Sequence, residues 1–427
     1  VKFGAEFWRG VIQTISWLVA GAWVWRASDL VKSLPSLPDL TRVEWDIVPE
    51  KPTTLTVVVP ARDEAANVAA TLDALLMADY AWLKILAVDD RSSDLTGTIM
   101  DAYVREQGLG IREQGLVRTT APPLEVVHIT DLPEGWLGKT FALQVATENS
   151  DSEYLLYTDA DVLFSPSVLR RAMSYAVASE ADHLVVLPTM QVRSRGEGIV
   201  LGFFQVLGMW ASRLWKVADP NSRDTVGVGA FNLVRRSALA EIGGWVPQRM
   251  SILEDVTLGR RMKAAGMRQR VAFAPGLVLV HWAKGAFGLI GVMTKNLFSA
   301  FNFHPVLLAG FVMWILLFCL SPLAELGWWA TLVPALLVLC CFGATYRVMG
   351  EVSSIDARYG WLYPLGALAF VWAMLRSMVV VWWQRGVVWR GTLYELRDLR
   401  RHNSPFVWER QGAQRRKAKR EKRAATK

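Results

Sequence analysis

Cysteine is scarce. The 427 residues hold three, Cys319, Cys340 and Cys341, all inside apolar segments. Three thiols placed this way exclude a disulfide framework and any metal-type cysteine spacing, and they fit a domain folded in a reducing compartment. Histidine is hardly commoner: there are five, none paired with another at ligand spacing, which argues against a zinc site. Charge is thin as well, at 20% of residues against 52% hydrophobic, with 20 Trp and a mean hydropathy of +0.24. That balance is too apolar for a wholly soluble enzyme.

The apolar excess is local. Residues 11–25 form an apolar run between Arg9 and Arg26. No small-residue cleavage site stands out after it and its flanks carry Trp, so residues 1–26 are expected to be a membrane anchor rather than a signal peptide. Residues 27–53, with Pro35, Pro38, Pro49 and Pro52, read as an extended connector, and 54–283 as an ordinary globular domain. Residues 284–303 have apolar positions at near-helical spacing and suit an interfacial helix. Residues 304–384 hold three long apolar segments (305–323, 328–346 and 361–383) expected to be membrane helices, the last with Arg376 in its middle. Residues 385–427 carry fourteen Lys/Arg against four acids, Glu395, Asp398, Glu409 and Glu421, so the net charge of +8 reflects a basic tail.

Within 54–283 strand and helix patterns alternate. Strands are expected at 55–59, 83–88, 124–129 and 154–157, separated by helices at 65–77, 95–106 and 140–148. A helix at 166–180, with Ser165 as N-cap, precedes a strand at 183–187. A long apolar helical stretch at 198–217 follows. Strand 231–235, helices 237–242 and 253–265, and strands 271–274 and 277–281 close the domain. Such βαβ units predict a largely parallel α/β sheet with helices on both faces and right-handed crossovers.

Chemistry collects where these strands end. The fourth stops at Asp159-Ala160-Asp161, and two carboxylates at a strand's C-terminal edge meet in the crevice where open α/β sheets bind ligands. Hard oxygen donors this close suit Mg²⁺ or Mn²⁺ bridging a diphosphate, although Asp also ends strands for purely local reasons. Three more stretches fall at sheet edges: Pro60-Ala61-Arg62-Asp63-Glu64, Val88-Asp89-Asp90-Arg91-Ser92-Ser93-Asp94, and Leu253-Glu254-Asp255, whose acids open a helix. Asp94 is placed to cap the following helix, and Asp89 reads as a turn residue. A carboxylate in a helix's first turn, as at Asp255, is expected to stay ionised in the macrodipole's field.

This four-motif series resembles the family 2 glycosyltransferases, whose GT-A fold carries a proline-plus-acidic first loop, a V-D-D-x-S-x-D second loop, a D-x-D and an E-D. The resemblance spans about 54–283. It implies that Glu64 and Asp90, with Pro60 shaping the first loop, hold the base and ribose of a nucleotide. It implies that Asp161 binds the metal, with Asp159 near the ribose or sharing the ion, and that Asp255 is the catalytic base of an inverting displacement. Lys139, in Gly138-Lys139 at a helix start where the family commonly has a lysine, is expected at a phosphate; a solvated surface lysine is the competing reading. Glu254 and Trp245 are expected on the acceptor side, Trp245 as a floor for a sugar or lipid, or else as core. The Q-x-x-R-W of polysaccharide-building members is absent from 288–296. Instead Trp389-Arg390-Gly391-Thr392-Leu393-Tyr394 resembles the W-R-G-x-x-Y end of hopanoid-associated, carotenoid-type and ceramide-type lipid enzymes, which places Trp389 and Arg390 near the acceptor.

The expected activity is therefore transfer of one sugar from a nucleotide-diphosphate sugar, a UDP-sugar by preference, to a lipid hydroxyl at the cytoplasmic leaflet of the inner membrane. Transfer to a polyprenyl phosphate is the alternative within enzymes, and a catalytically silent membrane scaffold the alternative outside them. No nucleic acid is expected, because a basic block at 415–423 beside membrane segments suits anionic lipid. If the anchor and all three C-terminal segments cross, the domain and the basic tail lie on opposite faces. Positive-inside bias then calls for one C-terminal segment to be re-entrant or interfacial.

Overall fold

A computed structural model describes residues 2–108 and 122–402. The chain packs into two units. One comprises 38–190, 216–281 and the chain from 384 onward; the other comprises 1–37, 191–215 and 282–383.

The first unit is built on β1 (Leu55–Ala61), β2 (Leu83–Asp90), β3 (Leu124–Ile129), β4 (Tyr154–Tyr157), β5 (Val162–Phe164), β6 (His183–Leu187), β7 (Thr189–Met190), β8 (Asn232–Arg235), β9 (Gln269–Phe273) and β10 (Val278–Val280). Seven of these form one sheet in the order β3-β2-β1-β4-β8-β6-β9. β1, β2, β3 and β4 run parallel, β8 runs antiparallel to both its neighbours, and β6 pairs β9 in parallel. β1 is buried along its whole length, as a strand covered on both faces must be, which is why it reads as a continuous apolar run rather than an alternation. The helices Gly138–Glu148 and Glu254–Ala264 pack Ala142, Leu143, Leu258 and Met262 onto Val58, Leu86 and Leu155 of the sheet. A second sheet, β5-β10-β7, contains one expected strand, 277–281, as β10; β5 and β7 have no counterpart in the sequence reading, because runs of three and two residues carry no detectable period. Helix 166–180 begins two residues later than expected, at Val168 after Ser167, and no serine side chain caps it.

The sequence-derived boundaries need correction at both ends of this unit. The domain is not the contiguous 54–283: the helix Arg195–Ala211 belongs with the apolar unit. Nor is everything after 385 a tail. Residues 386–402 fold as β11 (Gly386–Trp389), β12 (Thr392–Glu395) and the helix Leu396–His402, packed in the α/β unit. The basic run at 415–423 lies outside the described residues.

The connector is pinned. Its first third, to Ser33, is helix, but beyond Pro38 it lies on the α/β unit, where Leu40 N donates to Phe273 O at 2.8 Å. Arg171 donates through Nη1 to the carbonyls of Leu40, Thr41 and Arg42 at 2.9, 3.1 and 3.0 Å, and through Nη2 to Asp46 at 2.5 Å. Arg170 holds the other Asp46 oxygen at 2.6 Å. Replacing Arg171 by Ala strands three carbonyls and half of a carboxylate, a loss of about 3 kcal/mol. Purified Arg171→Ala protein should melt several degrees below wild type and be cut first within residues 38–46 in limited proteolysis. Wild-type melting would show that the pairing holds nothing.

In the apolar unit, Arg195–Lys216, Pro305–Glu325, Trp329–Ser353 and Ala357–Trp383 are helical segments long and apolar enough to cross a membrane. Three are the expected C-terminal segments. The fourth corresponds to the long apolar helical stretch expected at 198–217. The helix Lys2–Ser33 is not among the four; Gln13, Thr14, Ser16 and two arginines dilute its apolar run. It buries Val19, Ala20, Trp23 and Leu30 while leaving Trp17, Leu18 and Trp25 exposed. Trp23 Nε1 donates to Phe318 O at 2.7 Å, and the buried Arg26 guanidinium sits 5.2 Å from the Trp215 ring centroid and 3.5 Å from Asp29. The expected interfacial helix is Gly285–Ala300, which buries Leu289, Ile290, Met293 and Phe298. Arg376 donates to Thr294 on that helix, and Ser377 donates to Thr294 O at 2.5 Å.

Candidate active site

The start of the helix Gly138–Glu148 is the hub. Asp90 lies so close beneath Gly138 that a Cβ there would meet Asp90 Oδ2 at 2.2 Å, so no other residue fits without displacing the carboxylate. The next residue, Lys139, reaches Asp159 Oδ1 at 2.5 Å and Glu254 Oε1 at 2.6 Å. The ends of β2 and β4 and the first turn of the helix Glu254–Ala264 thus meet at one two-residue step. Asp161 faces Asp159 and Glu64 closely enough for their charges to matter to it. The acidic corners converge, as the spacing predicts.

Lys139 is held within the acidic cluster rather than in open solvent. Its side chain is 22% exposed and its ammonium bridges two carboxylates, so it is not a solvated surface lysine. Burial alone would lower its pKa; Asp159 and Glu254 more than offset this and hold it above the ordinary lysine range.

Asp255 departs from expectation. Desolvation, then the neighbouring Glu254 charge, push its carboxyl up to about 7, so burial outweighs the helix dipole that was expected to keep it ionised. Gly227 presses against this turn from the other side, where a Cβ would meet Asp255 O at 1.9 Å. Asp161 is pushed up to about 6, by burial first and then by Asp159 and Glu64. Asp159 is the open member of the group, its side chain 40% exposed.

The expected nucleotide residues lie beside this group. Asp90 is 4% exposed and accepts from Arg91 Nε at 2.7 Å. Glu64 accepts from Asn67 Nδ2 at 2.9 Å and is paired with Arg390. Pro60 is buried in β1, past the last residue that pairs with β4, where a missing N–H costs no ladder bond. Asp89 lies in the last residues of β2, where its carboxylate accepts from Ser92 N at 3.1 Å and pairs with His128 at 3.0 Å. Asp94 accepts from Thr96 N at 2.9 Å at the helix start.

Three acceptor assignments change. Trp245 is 1% exposed and stands edge-on to Tyr157, their centroids 4.9 Å apart, so of its two readings it is core. Glu254 is buried and committed to Lys139 rather than open to an acceptor. Arg390 donates to Glu64 and to the carbonyls of Arg62 and Asp63, in the loop after β1, and Trp389 precedes it at the end of β11. Sequence reasoning missed Tyr394 as a site residue: its hydroxyl accepts from Gly138 N at 3.2 Å. A signal for it existed, because Arg390-Gly391 between Val-Val-Trp and Thr-Leu-Tyr has the form of a two-residue hairpin loop.

The family model described as Glycosyl transferase family 2 matches residues 56–243. Among solved structures, a mannosyltransferase from Pyrobaculum calidifontis, PcManGT, solved with GDP-Man and Mn²⁺, is similar over 87% of this chain and 99% of its own, at 17% identity and a TM-score of 0.51. S. aureus TarS aligns over 74% of this chain and 54% of its own, at 15% identity and a TM-score of 0.38. No curated protein matches the sequence. The α/β unit has the GT-A fold.

Proposed function

The chain is a family 2 glycosyltransferase by its domain at residues 56–243, and on that premise we propose that it moves a single sugar, with inversion, from a UDP-sugar to a lipid hydroxyl at the cytoplasmic leaflet of the inner membrane. The observation that carries the reading is the convergence of Asp90, Asp159, Glu254 and Lys139 on the Gly138–Lys139 step. Four segments apolar enough to cross a membrane support a lipid acceptor.

Asp159 and Asp161 suit a hard divalent ion, Mg²⁺ or Mn²⁺. Burial first, then the charges of Asp159 and Glu64, raise Asp161's carboxyl, and a cation beside it would favour its ionised form. Among the described residues no group of three or more His, Cys, Asp or Glu is arranged to hold a metal. The remaining ligands would come from the donor's diphosphate and water, the usual manner for Mg²⁺. When bound, the ion supplies Lewis-acid neutralisation of the departing diphosphate. Glu64 and Asp90 accept from the base and ribose hydroxyls. Asp255 takes the acceptor hydroxyl's proton on its carboxylate as that oxygen bonds to the anomeric carbon and the bond to the diphosphate breaks. Lys139, fixed between Asp159 and Glu254, keeps the two acidic loops in register and lowers the net negative charge facing the diphosphate.

Overproduction in a bacterial host followed by lipid extraction and mass spectrometry tests the proposal. One new lipid, heavier by one sugar residue and absent from a host producing Asp255→Asn, is the expected result. An unchanged lipid profile, together with no transfer in vitro from any nucleotide-sugar to a total lipid extract, would overturn it.

A further inference from the structure

The hairpin β11–β12 lies far outside the matched segment 56–243 and follows the last apolar helix in the chain. Trp389 pairs with Thr392, so the loop is the two residues Arg390 and Gly391. Both have positive φ, +50° and +75°, the geometry of a type I′ turn. Gly391 adopts it freely. Arg390 does not, and a non-glycine residue held there is a local strain that surrounding contacts must stabilise.

The loop after β1 and the Gly138 turn supply those contacts. From the tip, Arg390 donates through Nη1 to the Arg62 and Asp63 carbonyls and through Nη2 to Glu64 Oε1. Four residues on, the Tyr394 hydroxyl accepts from Gly138 N, beside which the Arg91 guanidinium also lies. Arg91 in turn holds Asp90 Oδ1 at 2.7 Å. One hairpin therefore reaches both carboxylates assigned to the nucleotide, Glu64 directly and Asp90 through Arg91. A carboxylate offers about four lone-pair positions. With Arg390 on one oxygen of Glu64 and Asn67 on the other, about half of that capacity stays free while the group's orientation is fixed. The two guanidiniums also offset negative charge that would otherwise face the donor's phosphates.

We infer that the C-terminal hairpin is a wall of the donor's nucleotide subsite, with Arg390 a positioning residue that orients Glu64 for the base and ribose and Tyr394 doing the same for Asp90 through Arg91. The inference rests on the donor reading proposed above. It moves Arg390 from the acceptor side, where the sequence motif placed it, to the donor side.

The test is calorimetric titration of the purified full chain with UDP and with GDP, each with Mn²⁺, alongside donor KM and kcat. Arg390→Ala should weaken nucleotide binding and raise donor KM by about tenfold or more, leaving kcat within about threefold. Arg390→Lys should recover part of the loss, since an ammonium can reach Glu64 but cannot span the carboxylate and two carbonyls at once. Tyr394→Phe should weaken binding several-fold. In a Glu64→Gln background, Arg390→Ala should add little, because both changes remove one coupled unit. Nucleotide binding and KM like wild type in Arg390→Ala, or fully additive losses with Glu64→Gln, would overturn the inference while the donor reading stands. A wild-type protein that binds neither nucleotide overturns both.

Discussion

Asp255→Asn abolishes sugar transfer, lowering kcat by about 10³-fold, the usual worth of a well-placed general base, while UDP and Mn²⁺ bind as to wild type within about threefold. The amide keeps the side chain's shape but accepts no proton, and neither proposed metal ligand is touched. The wild-type pH profile follows from the same group. A base must be ionised, and Asp255's carboxyl sits at about 7 in the free protein. So kcat/KM, which reports the free enzyme, should rise with pH through about 7 and level off above it. The sign for stability is opposite. The folded pKa lies above the ordinary 3.8, so this group favours the fold most below about pH 4 and loses that contribution as pH rises through about 7. Asn lacks this slope. At pH 8 the variant should be more stable than wild type by about 2 kcal/mol, below the roughly 4 kcal/mol ceiling that such a displacement implies. Inactive but stabilised protein is the expected pair, checked by a transfer assay and thermal unfolding. Full activity would remove Asp255 from the mechanism. A loss of only a few fold would point to an acceptor that arrives already anionic, as a polyprenyl phosphate does.

Asp161→Ala acts on the other half of the reaction. Asp161 is half-buried among Asp159, Glu64 and Lys139, where a cation would relieve the crowded negative charge. Its loss should weaken UDP binding in the presence of Mn²⁺ by about 100-fold, with no such effect when EDTA replaces the metal, because only the ion-bridged state depends on this carboxylate. Calorimetry with and without Mn²⁺ separates the two arms. Equal nucleotide affinity for variant and wild type in Mn²⁺ would mean that the ion, if one binds, is held elsewhere.

Much of this site was legible because its residues stand where periodic elements stop. β3, β4 and β6 have the bounds their β-branched and aromatic runs predict, and a carboxylate at the end of such a run has few places to go but the crevice. What was not legible depended on three-dimensional neighbours. Asp255 sits in the first helical turn as expected, but sequence spacing says nothing of how much water reaches it, and burial reversed its expected ionisation. Lys139 is expected at a phosphate from its place at a helix start, but its ion pairs with Asp159 and with Glu254, more than a hundred residues later, are not visible in the spacing. Trp245 was open between stacking surface and core until Tyr157 was found against its face. Charge composition also misled at the C-terminus: a run rich in Arg hid a four-residue strand pair inside what looked like a solvated tail.

Residues 386–395 leave the ribosome only after the apolar helices among the described residues have been made. A nascent polypeptide halted anywhere before that point carries the β-sheet and its acidic loops but lacks the Arg390 guanidinium beside Glu64. Biosynthesis itself would then time the onset of catalysis, because the sugar donor would find a finished seat only after the apolar helices had been made.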